Sequence, residues 1–118
     1  MSYINKPGKT TAWRKMVIRQ QVSDVIAYGK ITTTITKAKE TQKHVDRMIS
    51  LAKKPTLANL RKIRSVLLPT KTLEVDQLVN KLVSIAKKYH DRHGGYTRVI
   101  RYDERPGDNT TTAIIQLV

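Results

Sequence analysis

The side chains of this sequence that could do chemistry are three histidines, nine carboxylates and a large surplus of lysine and arginine. His90 and His93 are three residues apart with Asp91 between them, a spacing that can bring two ring nitrogens onto one metal ion. No cysteine is present to complete such a set, and His44 is distant in sequence. Protein zinc sites need three or four ligands. A histidine near a helix end has a simpler use, complementing the negative end of the helix dipole. Asp103, Glu104 and Asp108 form the other cluster, where carboxylates could hold magnesium for phosphodiester cleavage. They flank Arg101 and Arg105 and sit in or beside RPGDN at Arg105–Asn109, which is turn chemistry favouring Asp and Asn. Turn formation and ion pairing account for them without catalysis. There is no spacing that suggests a Ser-His-Asp arrangement, no GxGxxG and no glycine-rich phosphate loop. The sequence therefore predicts no enzyme, cofactor, metal or small-molecule substrate.

The cations remain. Lysine and arginine number 23 against nine acids, a net charge of +14 on 118 residues. A free domain with that charge repels itself, so a polyanion is the expected partner, and nucleic acid is the commonest one. The surplus is uneven: net +5 over residues 1–30, +7 over residues 31–70 and only +2 over residues 71–118. The first 70 residues read as the binding half and the rest as scaffold. An anionic membrane surface and a merely solvated basic face are the competing explanations. No apolar run approaches the ~20 residues of a membrane span. The start, MSYINKPGKTT, has no apolar segment of a secretory signal.

The cations lie among residues able to assist them. Threonine hydroxyls and backbone N–H groups contact phosphate and ribose, and glycine lets a backbone approach closely. Trp13 adjoins Arg14 and Lys15, and Tyr96 lies near Arg98. Each pairs an aromatic with cations, an arrangement that can stack on unpaired RNA bases. The simpler alternative is that both rings pack at the edge of the core.

The elements that must position these residues follow from periodicity. Residues 1–9, with Pro7-Gly8, read as an extended basic arm, and 10–118 as a single domain. Thr10 or Thr11 caps a first helix with Ile18, Val22, Val25 and Ile26 inward, ended by Gly29. Ile31 to Ile35 is β-branched throughout and predicts a strand, with Ile31, Thr33 and Ile35 facing one way. From about Thr36 a helix buries Val45, Met48, Ile49 and Ala52 and stops at Pro55. Thr56 caps a third, with Leu57, Leu60, Ile63 and Leu67 inward, stopped by Pro69. The clearest helix runs from Thr72 to about Arg92, with Val75, Leu78, Val79, Leu82, Ile85, Ala86 and Tyr89 on one stripe. Gly94-Gly95 closes it. Tyr96 to Asp103 and Thr111 to Val118 then predict an antiparallel hairpin. The order αβαααββ gives an α+β fold, a single two-layer domain with helices packed on a small three-stranded sheet.

With those elements in place, KITTTITKAKE at Lys30–Glu40 resembles the strand-to-helix junction of a known family. The family is the seventeenth protein of the bacterial large ribosomal subunit. GGYTRVIR at Gly94–Arg101, RPGDN at Arg105–Asn109 and AIIQLV at the C-terminus are similar to it in the same order, as is TTAWRK at Thr10–Lys15. The likeness covers nearly all of the chain from about Gly8. It departs in the arm, which in the family is usually richer in Arg and His. The family also often has His where Trp13 stands, and Pro where Thr36 stands.

The resemblance implies a cytoplasmic, non-enzymatic constituent of the large subunit, one copy per ribosome. It would bind large-subunit ribosomal RNA near the peptide exit tunnel and touch neighbouring ribosomal proteins. In this sequence Lys6, Lys9, Arg14, Lys15 and Arg19 are expected to neutralise RNA backbone, with Trp13 stacking beside them. Lys30, Thr32, Thr34, Lys37, Lys39 and Lys43 make a second expected surface. Gly95, Tyr96, Thr97, Arg98, Arg101 and Arg105 make a third. The alternatives are a free, chromosome-associated nucleic-acid-binding protein and a small metal-dependent nuclease.

Overall fold

The computed structural model of the protein describes residues 11–104, 107 and 111–118, with Asp103 described in its backbone alone. The expected arm, including Lys6 and Lys9, and most of the expected turn, including Arg105 and Asp108, lie outside the described residues.

The first helix, α1 (Thr11–Tyr28), buries Ile18, Val22, Val25 and Ile26. Gly29 ends it with φ +83°, and its N–H donates to the Val25 carbonyl at 2.8 Å. A Cβ there would meet nothing within 4 Å. The left-handed dihedral, and not crowding, is what favours glycine. α1 has no basic residue in its own last turn, and Lys81 donates to the Ala27 carbonyl from another helix. That supplies the positive charge a helix C-terminus attracts.

The threonine-rich stretch splits one residue earlier than its pattern predicts. β1 (Lys30–Thr34) ends at Thr34, which caps α2 (Ile35–Ala52). The Thr34 hydroxyl accepts from the Lys37 N–H at 3.4 Å. Ile35 therefore opens a helix instead of ending a strand, because a threonine that can cap outweighs the strand preference of the residue after it. α3 (Leu57–Val66) begins at its expected cap, with Thr56 accepting from the Asn59 N–H at 3.3 Å. Leu57, expected to face inward, is instead exposed. α4 (Val75–Lys88) is shorter at both ends than the predicted helix from Thr72 to about Arg92. The Leu73 N–H is taken by the Thr70 hydroxyl at 3.1 Å, and Gln77 accepts from the Glu74 N–H at 2.9 Å. The turn at 70–73 delays the start of the helix.

β2 (Thr97–Glu104) and β3 (Thr111–Leu117) follow. The sheet order is β1-β3-β2, so the last strand in the chain is central and antiparallel to both neighbours. Ile31 pairs with Ile115 and Ile115 with Val99, while Lys30 pairs with Gln116 and Gln116 with Arg98. A register shift between Arg101 and Glu104 bulges β2 near its end.

α1 and α2 lie directly on the sheet, α4 packs across both, and α3 rests on α2 and α4. Val22, Val25, Val45, Ile49, Ile63, Leu78, Leu82 and Ile115 are fully buried between these elements. Two polar links tie the helices together. Buried Thr41 donates to Gln21 at 2.7 Å, and Gln21 donates to Thr33 at 2.9 Å, joining α2, α1 and β1. Buried Ser23 accepts from the Leu68 N–H at 2.8 Å, which fixes the exit from α3 against α1.

Candidate nucleic-acid interface

The sequence placed most of its candidate contacts at the start of α1 and around the β1–α2 junction. The fold brings these two regions together. Trp13 is 39% exposed, and the Lys37 ammonium lies 5.5 Å from its ring centroid. Near α1's first turn, Lys15 is exposed and half-buried Arg14 donates to the Thr11 hydroxyl at 3.1 Å. Across the junction, Lys30 and Thr32 are exposed on the sheet, and Lys39 and Lys43 on α2.

Arg19, Tyr96 and Thr97 are not presented to a partner as expected. Arg19 is half-buried, and its Nε donates to the Val66 carbonyl at 2.9 Å. It closes the C-terminal end of α3, where carbonyls lack helical partners. Tyr96 is 1% exposed. Its ring packs at 5.3 Å and 50° against Tyr89, with the Lys53 ammonium 4.6 Å from its centroid. Its hydroxyl donates to the Arg92 carbonyl at 3.1 Å. No face of that ring is open to a base. Thr97 is also buried, and its hydroxyl donates to Asp46 at 3.0 Å. Thr34 keeps a structural duty as the α2 cap. Beside them Gly95 takes φ +65° and is exposed, as are Arg98 and Arg101 on β2.

To Lys39 and Lys43 the structure adds two cations that the sequence reading did not single out, Arg47 on α2 and Lys54 just beyond its end, all four exposed. The spacing of 4 and 4 keeps Lys39, Lys43 and Arg47 on one side of the helix. At a rise of 1.5 Å per residue this part of the stripe is about 12 Å long, and Lys54 follows past the helix end. The i, i+4 spacing was visible in the sequence, but grouping charges by neighbouring position hid it.

α2 also carries two acids, both partly buried. The Glu40 side chain is 15% exposed and lies 3.5 Å from Lys43, whose own side chain is 74% exposed. Asp46 turns toward β2, accepting from Thr97. Partial burial raises the Asp46 pKa, and the Thr97 hydrogen bond opposes that rise. His44 sits between the stripe and the core. Desolvation lowers its pKa, Glu40 works against that shift, and Arg47 and Lys43 add to it. Lys39, Lys43 and Arg47 thus lie exposed on α2, with Glu40 partly buried beside Lys43 and Asp46 bonded to β2.

Other chemistry finds little support in the geometry. Among the described residues no group of three or more His, Asp or Glu side chains could hold a metal ion. A cleft lined by Ala52, Lys53, Pro55, Val83, Ala86, Lys87 and His90 has a volume of about 110 Å³, well below the several hundred Å³ of an ordinary small-molecule site. Among the described residues no helix is long and apolar enough to cross a membrane.

Comparison with known proteins fits a basic α+β domain of this kind. The family model described as ribosomal protein L17 matches residues 17–118. The chain is 61% identical over 119 residues to the large ribosomal subunit protein bL17 of Ureaplasma parvum, covering 100% of both chains. It is equally similar to that of Malacoplasma penetrans, again over 100% of both. It is 55% identical to that of Mycoplasma pneumoniae, over 99% of this chain and 95% of the relative. A family match over most of the chain, with relatives this similar along their whole length, places the chain in the ribosomal protein L17 family.

Proposed function

We propose that this chain is a structural, non-enzymatic part of the bacterial large ribosomal subunit that binds and organises large-subunit ribosomal RNA. The observation that carries the RNA-binding part is the charge sorting on α2. Lys39, Lys43, Arg47 and Lys54 are exposed, while the Glu40 side chain is mostly buried beside Lys43 and Asp46 is bonded to Thr97. A helix carrying both signs of charge needs no such sorting to stay soluble, but a surface meeting phosphates does. The Trp13–Lys37 corner adds a second place, where a cation meets an exposed ring. The position near the peptide exit tunnel, and contacts with neighbouring large-subunit proteins, rest on the resemblance of the motifs.

Contacts spread along a helix neutralise phosphates without reading sequence, and so can hold separate RNA segments together. Binding to a large-subunit RNA fragment should weaken by ~10³ or more over a modest rise in salt if six or more phosphates are neutralised. The Lys43→Gln, Arg47→Gln, Lys54→Gln variant should lower the slope of log affinity against log salt by about three. Filter binding across a salt series measures both. An unchanged slope removes α2 from the interface. Sucrose-gradient fractionation of a lysate tests the wider reading. Co-migration with large subunits through a high-salt wash supports it, and recovery mainly free or on DNA rejects it.

A further inference from the structure

The sheet has two faces, and the helices cover one of them. On the other lie two rows fixed by strand register, Lys30–Gln116–Arg98 and Thr32–Ile114–Ile100. Tyr102, two residues beyond Ile100 on β2, lies at the end of these rows, within the register shift between Arg101 and Glu104. Lys30 and Arg98 are exposed, Gln116 and Ile114 half-buried, Ile100 39% exposed and Tyr102 66% exposed. Neither row contains a carboxylate.

We propose that this open sheet face is a platform for unpaired RNA nucleotides, separate from the α2 stripe. The inference rests on the RNA-binding reading above and makes it more specific. An RNA duplex offers protein its phosphates and 2′-hydroxyls, and its bases stay stacked inside. A surface meant for a duplex alone gains nothing from an exposed tyrosine and two isoleucines. Unpaired bases need what is present here, flat apolar and aromatic surface to lie on and cations for their phosphates. Ile100 and Tyr102 are both exposed and close along β2, so each offers a surface on which one base of an extended strand can lie. Gln116, in the row between Lys30 and Arg98, carries an amide able to donate to and accept from a base edge. A protein partner would cover the apolar patch equally well, but would have to bring acids to Lys30 and Arg98. The RNA backbone supplies that charge at every nucleotide.

The test uses the full chain and two probes, a short mixed-sequence single-stranded oligoribonucleotide and a blunt RNA duplex. Fluorescence anisotropy at fixed salt reads affinity for each. Tyr102→Ala should weaken single-strand binding by about 5- to 100-fold, the loss of one stacked base, and leave duplex binding within about twofold. Tyr102→Phe should retain single-strand affinity, because stacking needs the ring and not the hydroxyl. The α2 variant should show the opposite preference, with its larger loss on the duplex. Because Tyr102 is exposed, its variants should keep the wild-type melting temperature. The platform is overturned if Tyr102→Ala binds single strands as wild type does, or weakens both probes equally. If Tyr102→Ala instead abolishes binding of a large-subunit protein and spares RNA, the face is a protein interface. Loss of duplex affinity in the α2 variant would then leave the proposed function intact while this inference falls.

Discussion

The two faces of the sheet are built from alternate residues of the same strands, and they have opposite chemistry. On β3, Ile115 is fully buried beneath the helices, while its neighbour Ile114 is half-buried on the open side. On β2, buried Thr97 donates to Asp46 and adjoining Arg98 is exposed. The covered face is committed to holding α1 and α2. The open face is left to Lys30, Arg98, Ile100 and Tyr102. A period of two is what lets three short strands do both, and a one-residue slip in register would exchange the faces.

The contrast can be broken most forcefully at β3. Ile115→Ala should cost about 2–4 kcal/mol of stability, because it opens a cavity in a packed core. Ile114→Ala, one residue away, should cost under about 1 kcal/mol, since its side chain is only partly removed from water. Urea unfolding of both variants checks the pair, and equal losses would mean that the two faces are not distinct. Thr97→Val should cost about 1–2 kcal/mol, because it removes the donor to a partly buried Asp46. Thr32→Val, on the exposed side of β1, should stay within about 0.5 kcal/mol.

The smallest effect concerns His44, at the boundary between the basic stripe and the core. Its folded pKa lies below the ordinary 6.5, chiefly through desolvation. The unfolded chain therefore binds more protons between the depressed value and 6.5, and stability rises with pH across that window. It is lost as pH falls below about 6.5. His44→Gln should flatten this dependence, read as the change in urea midpoint between about pH 5.5 and pH 7.5.

These contrasts also show what the sequence could reveal. The α+β class, the order αβαααββ, the Gly29 stop, the Thr56 cap and the antiparallel hairpin all follow from local rules, and the structure has them. The starts of α2 and α4 shifted because Thr34 and the 70–73 turn bind backbone N–H groups that the apolar pattern does not report. Among candidate contacts, Tyr96 and Thr97 illustrate the harder problem. They look outward beside a glycine pair, yet their direction depends on where the sheet meets α2 and α4. Arg19 is similar, since the carbonyl it binds belongs to a helix 47 residues away. Arg47 failed to stand out for the opposite reason: helical spacing unites it with Lys39 and Lys43, and contiguous reading separates them.

The position of β3 bears on when this fold can exist. The central strand is the last element in chain order, and β1 and β2 each pair with it and not with one another. A nascent chain therefore carries β1 out of the ribosome long before its only strand partner is made. Helices close locally and early, while the sheet waits for the most distant contact in the molecule. Until then both future edge strands are unpaired, a state prone to adhesion. The helical layer and the nucleic-acid surface of α2 can form during synthesis. The open face of the sheet comes into being only once β3 has been made, so the two surfaces would become available to RNA one after the other.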